Sequence, residues 1–408
     1  MTSTLEYNAP TTAPPGLATK FTVVAAGFMT MLGGATIAPA LPSIKSAFAD
    51  VPNATMLTGM VLSTHALAIL LFSPIAGYLG DRFGRKPALI AGLATFAVAG
   101  TSGFYLPDLP SILVGRFVLG LGIALIMTSA TALIGDLFDE AARQKLLGQQ
   151  FAATTAGGVI FLLGGGALAS LDWRAAFLIY TVGAVMIAPV LAFIPIVRTG
   201  AAERSESASD VSATARLGTW LIAPVAAMFA AQALFYILPT QLPGMMQDEF
   251  GLGPFAAAMV IAVMSLAMAP SSLAYRHLKR LGSSAMLVAI SFVFSAAGFA
   301  LLALADQVWL VVAGLLVLAT GMGFSGPNIS NWIVSTAPAA VRGRATGMLT
   351  TGLFLGQFLS PIATQPLIDS AGLHATYGFI AAAALAVAAV YWGLGRRTAD
   401  DRVEPARQ

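Results

Sequence analysis

The chain has no cysteine and little charge: 21 Lys or Arg and 18 Asp or Glu among 408 residues. Without cysteine there is no disulfide framework, no thiolate metal site and no cysteine nucleophile. The shortage of charge excludes an ordinary soluble domain, which carries roughly 25% charged residues against 10% here. A globule of this length still needs a polar exterior. With 57% hydrophobic residues the chain cannot supply one, so the surplus must face lipid. A formal charge of +3 gives no argument for nucleic acid, and where the charges sit matters more than their sum. No metal-ligand cluster and no nucleotide-binding P-loop occur. Gly321-Met-Gly-Phe-Ser-Gly326 has dinucleotide spacing but lies inside an apolar run with no strand before it. No cofactor is expected. The first twenty residues lack the basic start and cleavage site of a secretory signal, so the apolar run from Phe21 reads as a retained helix.

What the chain has is long apolar runs. About 20 apolar residues cross a hydrocarbon core of ~30 Å as a helix. The runs lack the alternation of barrel strands. They predict twelve spans, near 21–42, 56–80, 88–106, 111–135, 146–169, 174–196, 219–241, 254–275, 284–304, 308–332, 343–367 and 374–394. The termini and even-numbered loops hold eighteen of the 21 basic residues, including Arg82, Arg85, Lys86, Arg143, Arg342 and Arg344. The other loops hold only Lys45 and Arg174, and Arg116 lies inside span 4. This bias predicts both termini in the cytoplasm. The Asn53-Ala-Thr sequon falls in a loop on the outer side, where a bacterial origin would leave it unused.

The halves repeat. Arg82 and Gly84 match Arg280 and Gly282 at an offset of 198, and Arg143, Lys145, Gly148 and Gly157 match Arg342, Arg344, Gly347 and Gly356 at 199. The polar stretch between spans 6 and 7 reads as a flexible linker. The expected organisation is a six-helix bundle over 1–197, a cytoplasmic linker over 198–218 and a second bundle over 219–408. Repeats of this kind place the solute site of secondary transporters near the midplane, between the halves.

Between spans 2 and 3 stands Gly77-Tyr-Leu-Gly-Asp81-Arg82-Phe-Gly84-Arg85-Lys86-Pro87. It resembles the loop motif of the major facilitator superfamily at full spacing. That resemblance implies a charge cluster of Asp81 and Arg85 with the acid at the end of span 4, here Asp136, latching the cytoplasmic side closed. The plain alternative is that Arg82, Arg85 and Lys86 only set topology. In the second half Lys279 stands where Asp81 would fall. Arg116-Phe-Val-Leu-Gly120-Leu-Gly122 resembles the superfamily's second motif, and Asp172-Trp173-Arg174 with Phe177 resembles its opening of helix 6. Gly148, Gly157, Gly165 and Gly166 fit the span-5 glycine pattern of its drug:proton antiporters, although Phe161-Leu162 replaces that pattern's Gly-Pro. The kink would then pass to span 11, at Ser360-Pro361.

Ionisable groups inside spans are expensive and are candidates for function. Arg116 is read as a cavity-facing cation for proton movement or anion binding, or as a side chain snorkelling to the interface. His65, near the midplane, is either a proton relay or a neutral histidine packed between helices. Asp81 is a third candidate for proton coupling, since no Asp or Glu sits in the middle of any span. In the superfamily, helices 1, 4, 7 and 10 line the cavity. This implies Thr30, Thr36, Arg116, Thr128, Gln232, Tyr236, Asn328 and Asn331 as lining residues, with Gln149 and Gln357 behind them.

Together these readings predict an all-α membrane protein with the two-bundle major facilitator fold. The implied protein is a monomeric secondary transporter in a bacterial inner membrane, exporting small amphipathic compounds in exchange for protons. Uptake of a sugar or organic acid is the rival within transport. A transport-inactive sensor or an intramembrane enzyme is the rival from another class. The spans show no convergent acid/base set, so no enzyme is expected.

Overall fold

The structure, a computed structural model, describes residues 16–195, 218–280, 282–338 and 341–403. All but Gly218 of the expected linker lies outside these residues. Twelve helical passes form two bundles, six from residues 16–195 and six from 218–403. Nine of the described helices are long and apolar enough to cross a membrane. Two shorter apolar segments, Leu17–Phe28 and Gly157–Ala169, belong to spans 1 and 5. Large apolar side chains such as Val98, Ile160, Val185 and Leu273 are exposed, as a lipid-facing surface requires.

Local chemistry sets the ends. Asp108 accepts from the Ser111 N–H at 2.9 Å and opens span 4; Asp139 accepts from the Ala142 N–H at 2.8 Å and opens span 5. Gly84, at φ +96°, turns the chain between span 2 (Ala54–Phe83) and span 3 (Arg85–Gly100) within one residue. A side chain would be strained there.

Span 1 is the exception to continuous helix. Leu17–Phe28 is α-helical, Met29–Gly33 and Ala35–Ala40 are 3-10 turns, and Leu41–Ala47 is α-helical again. Gly34, at φ −101° and ψ −90°, separates the two turns. Span 5 (Glu140–Ala169) and span 11 (Arg342–Ala371) are each one helix, and span 11 remains helical through Pro361.

Small residues bring the helices close. A Cβ on Gly157 would overlap the Phe28 ring of span 1, and one on Gly356 would overlap the Phe229 carbonyl of span 7. These two glycines form one of the repeat pairs in the sequence. Span 5 therefore lies on span 1 as span 11 lies on span 7.

The basic loops gather at one end of the bundle, called here the basic end. Named contacts between the bundles lie at the midplane or toward the opposite end. A Cβ built on Gly59 in span 2 would lie 3.1 Å from the Pro361 Cβ in span 11. One on Gly166 in span 5 would press on Ala258 and the Pro254 carbonyl of span 8. Gln247 donates to the Pro39 carbonyl at 3.1 Å. Toward the basic end a Cβ on Gly77, Gly135, Gly343 or Gly347 would meet nothing within 4 Å among the described residues, as would one on Gly251, Gly253 or Gly372 at the opposite end.

Candidate functional site

Two clusters organise the first bundle. At the basic end, Arg85 Nη2 lies 3.1 Å from Asp81 Oδ1, and Arg85 Nε lies 2.6 Å from Asp136 Oδ2. The two partners differ in setting: the Asp136 side chain is 14% exposed and that of Asp81 57%. Exposed pairs are screened and contribute little, whereas half-buried ones are screened less. Arg85–Asp136 is thus the stronger bond. Both pairs join spans 2, 3 and 4 of one bundle, so what they fix directly is the shape of that loop.

The neighbouring basic residues act elsewhere. Arg82 donates to the Tyr78 hydroxyl at 2.8 Å. Lys86 donates to the Leu191 and Ile194 carbonyls at 2.9 and 2.6 Å, satisfying the free end of the span-6 helix Val182–Phe193. The sequence reading placed Lys86 in the loop motif, with topology as the plain alternative, and missed this cap.

Near the midplane, four spans converge on the break in span 1. Arg116 is fully buried. Its Nε donates to the Val61 carbonyl and its Nη1 to the Tyr180 hydroxyl, both at 2.8 Å, while Nη2 donates to the Gly33 carbonyl. The Tyr180 hydroxyl in turn donates to the Leu32 carbonyl at 2.9 Å. Arg116 also stands 5.3 Å from the centre of the Tyr180 ring. A helix interrupted at Gly33 and Gly34 leaves carbonyls without their usual donors, and a buried carbonyl needs one. Arg116 and Tyr180 supply them. The expectation of a cavity-facing or snorkelling Arg116 therefore gives way in this structure to a buried cation tying spans 1, 2, 4 and 6. Tyr180 was not singled out in the sequence, where nothing marks it from other span aromatics.

His65 is buried beside the same break, and its ring borders Gly33 and Gly34. Its Nδ1 has no partner among the described residues. From the other bundle comes Tyr236, whose hydroxyl occupies the space a Cβ on Gly34 would need. The break, His65, Arg116 and Tyr236 thus form one contact where the bundles meet.

The remaining lining candidates are dispersed. Thr36 is buried, with its carbonyl against Gly165 of span 5. Thr30 and Thr128 return their hydroxyls to the carbonyls of Gly27 and Ala124, each at 2.8 Å. Gln357 donates to Gln232 at 3.1 Å, linking spans 11 and 7. Asn328, expected in the cavity, is wholly buried and donates to the Ser284 carbonyl of span 9 at 2.9 Å, so it points away from the other bundle. Asn331 and Gln149 are exposed.

The two ends differ in charge. The loops and helix ends on the opposite side hold Asp50, Asp108, Asp172, Asp248, Glu249, Asp306 and Asp369, against Lys45, Arg174 and the histidine His374. His374 Nε2 pairs with Glu249 at 2.9 Å.

The comparisons agree with this architecture. A tetracycline resistance protein, class G, from Vibrio anguillarum is 26% identical over 83% of this chain and 87% of its own length. The uncharacterized MFS-type transporter EfpA of Mycobacterium tuberculosis is 32% identical over 51% of this chain, and the match covers only 38% of EfpA. Among solved structures, the inward open conformation of the xylose transporter XylE from E. coli superimposes with a TM-score of 0.74 at 14% identity, covering 91% of this chain and 95% of XylE. At that identity it establishes the fold alone. The sequence profile of the Major Facilitator Superfamily matches residues 23–361 and, in a second match, 226–408. With two bundles of membrane-spanning helices that meet at a broken first span, the chain belongs to the Major Facilitator Superfamily and is a multi-pass membrane transporter, not an enzyme.

Proposed function

We propose that this protein exports small amphipathic organic compounds in exchange for protons, by alternating access. The observation that carries the reading is the match to a tetracycline resistance protein along 83% of the chain. The basic end is taken as cytoplasmic, because Lys and Arg are retained on that side during insertion. The bundles 1–197 and 219–408 then rock about the break in span 1, with residues 198–218 as the linker between them. The contacts Gly59–Pro361 and Gly166–Ala258 close the outer side, which leaves the route facing the cytoplasm.

In this cycle the Asp81–Arg85–Asp136 cluster shapes the loop that docks on the second bundle when the cytoplasmic side closes. Of the candidate lining residues, Tyr236 touches the break where the bundles meet, and Gln232 and Gln357 pair with each other between spans 7 and 11. His65 is the buried titratable side chain beside the break and is the group assigned here to proton exchange, its Nδ1 without a hydrogen-bond partner among the described residues. A monomer suffices, because both bundles are in one chain.

Uptake of a sugar or organic acid is the second reading. A D-xylose-proton symporter shares the fold, but at 16% identity that likeness carries no substrate. Inverted vesicles separate the two readings. Export predicts that an amphipathic dye accumulates inside them when a proton gradient is imposed, and that a protonophore stops it. Accumulation indifferent to the gradient would remove proton exchange from the proposal.

A further inference from the structure

At the end opposite the basic loops, the bundles leave a cleft of about 500 Å³ between spans 1 and 2 on one side and spans 7 and 11 on the other. Its floor is the place where the bundles touch, Gly59 against Pro361 and the Thr240 methyl. Three polar side chains line that floor and are almost wholly buried: Thr58 at 3%, Gln365 at 4% and Thr240 at 9% exposure. Thr240 donates to the Tyr236 carbonyl, and Gln365 to Asp369. Thr58 Oγ1 has no partner among the described residues. A buried hydroxyl left unpaired is unfavourable; this oxygen is closed off from the cleft here, and a rotation of the Thr58 side chain would bring it to a polar ligand atom at the floor.

The rim carries charge. Asp248, the last residue of the span-7 helix Ile222–Asp248, is exposed there and makes no ion pair among the described residues. Glu249 beside it is engaged by His374. Lys45 faces the cleft from span 1. Thr240 and Asp248 lie on one helix, eight residues apart, so rim and floor are separated by about 12 Å at 1.5 Å per residue. Leu41, Met245, Ile368 and Leu373 supply apolar walls between them. The surplus of carboxylates over Lys45 and Arg174 at this end gives the mouth a negative field, which concentrates cations and disfavours anions.

We infer that this cleft is a binding site for small amphipathic organic cations. The cationic head lies at Asp248, the apolar body lies between Leu41 and Met245, and a hydrogen-bonding group at the far end reaches Thr58. The site is separate from the contact of Arg116 with the span-1 break. It is also independent of transport direction: an exporter would hold its solute there last, an importer first.

Titration calorimetry on the purified full chain in detergent tests this with three probes. Tyramine carries both the ammonium and the far hydroxyl, phenethylamine only the ammonium, and 4-ethylphenol only the hydroxyl. Tyramine should bind best. Asp248→Asn should weaken both amines about tenfold and leave 4-ethylphenol unchanged. Thr58→Val should weaken tyramine and 4-ethylphenol about fivefold and spare phenethylamine. Lys45→Gln should tighten both amines. Gly244 lines the cleft, and a Cβ there would approach only Asp248 Oδ2, at 3.9 Å, so Gly244→Leu should fill the slot and abolish binding without disturbing the helix. If Thr58→Val does not fold, the Gly244→Leu result and the ranking of the three probes decide. Amine binding that survives both Asp248→Asn and Gly244→Leu would overturn the assignment, as would failure of tyramine to bind at all. Neither result bears on the proton-exchange proposal, which the vesicle experiment tests separately.

Discussion

Arg85 holds two carboxylates of unequal weight. Because Asp136 is the more buried and closer partner, Asp136→Asn should cost about 1.5–3 kcal/mol, the range for a charged hydrogen bond. Asp81→Asn should cost less than ~1 kcal/mol, as for exposed pairs. Thermal unfolding in detergent measures the order. Transport should slow in both variants while membrane insertion is kept, and equal melting shifts would refute the ranking. Arg116 gives the second residue-level test. Tyr180→Phe removes the acceptor for Nη1 and the donor to Leu32, and should destabilise by about 1–3 kcal/mol. Arg116→Lys keeps the charge but cannot reach three acceptors at once, so it should cost more. An unshifted melting temperature in Tyr180→Phe would show that this contact is not a structural tie.

Among the elements, span 1 matters most, because its interruption creates the acceptors that Arg116 and Tyr180 fill. The sequence predicts a span there, since apolar length alone is enough for that. It does not predict the break: nothing in the apolar run marks Gly33-Gly34 as an interruption until the spans that surround it are known. The loop motif was legible for the opposite reason. Asp81, Gly84 and Arg85 lie close in sequence, and their spacing alone brings them together. Asp136 could be added only through the resemblance to a family, and Tyr180 not at all, because its role depends on where span 6 packs. The break also makes a prediction. Gly34→Ala places a methyl where the Tyr236 hydroxyl sits, so the bundles should be held apart at this contact. Distances between spin labels across the opposite end should lengthen in Gly34→Ala and recover when Tyr236→Ala is added. Unchanged distances would show that the contact does not control closure.

For the molecule as a whole, the difference between its ends is the main result. Named contacts between bundles lie at the midplane and the acidic end, while a Cβ on Gly77, Gly135, Gly343 or Gly347 near the basic end would meet nothing within 4 Å among the described residues. Gly77 belongs to the most specific motif in the sequence, yet a methyl there would touch none of the described residues. Gly77→Ala should therefore keep or slightly raise the melting temperature of this state, alanine being the better helix former, and slow transport, because the close approach it restricts belongs to the other half of the cycle. A lowered melting temperature would contradict this.

The Gly59–Pro361 contact offers a way to rivet the protein in one posture. Natural disulfides place their Cβ atoms about 3.8 Å apart, and here the corresponding separation is 3.1 Å, within reach of a slight relaxation. Because the native chain has no thiol, Gly59→Cys combined with Pro361→Cys would contain a single possible bridge. Mild oxidant should stop turnover, and dithiothreitol should restart it. Full turnover by a quantitatively bridged sample would mean that this seam never opens.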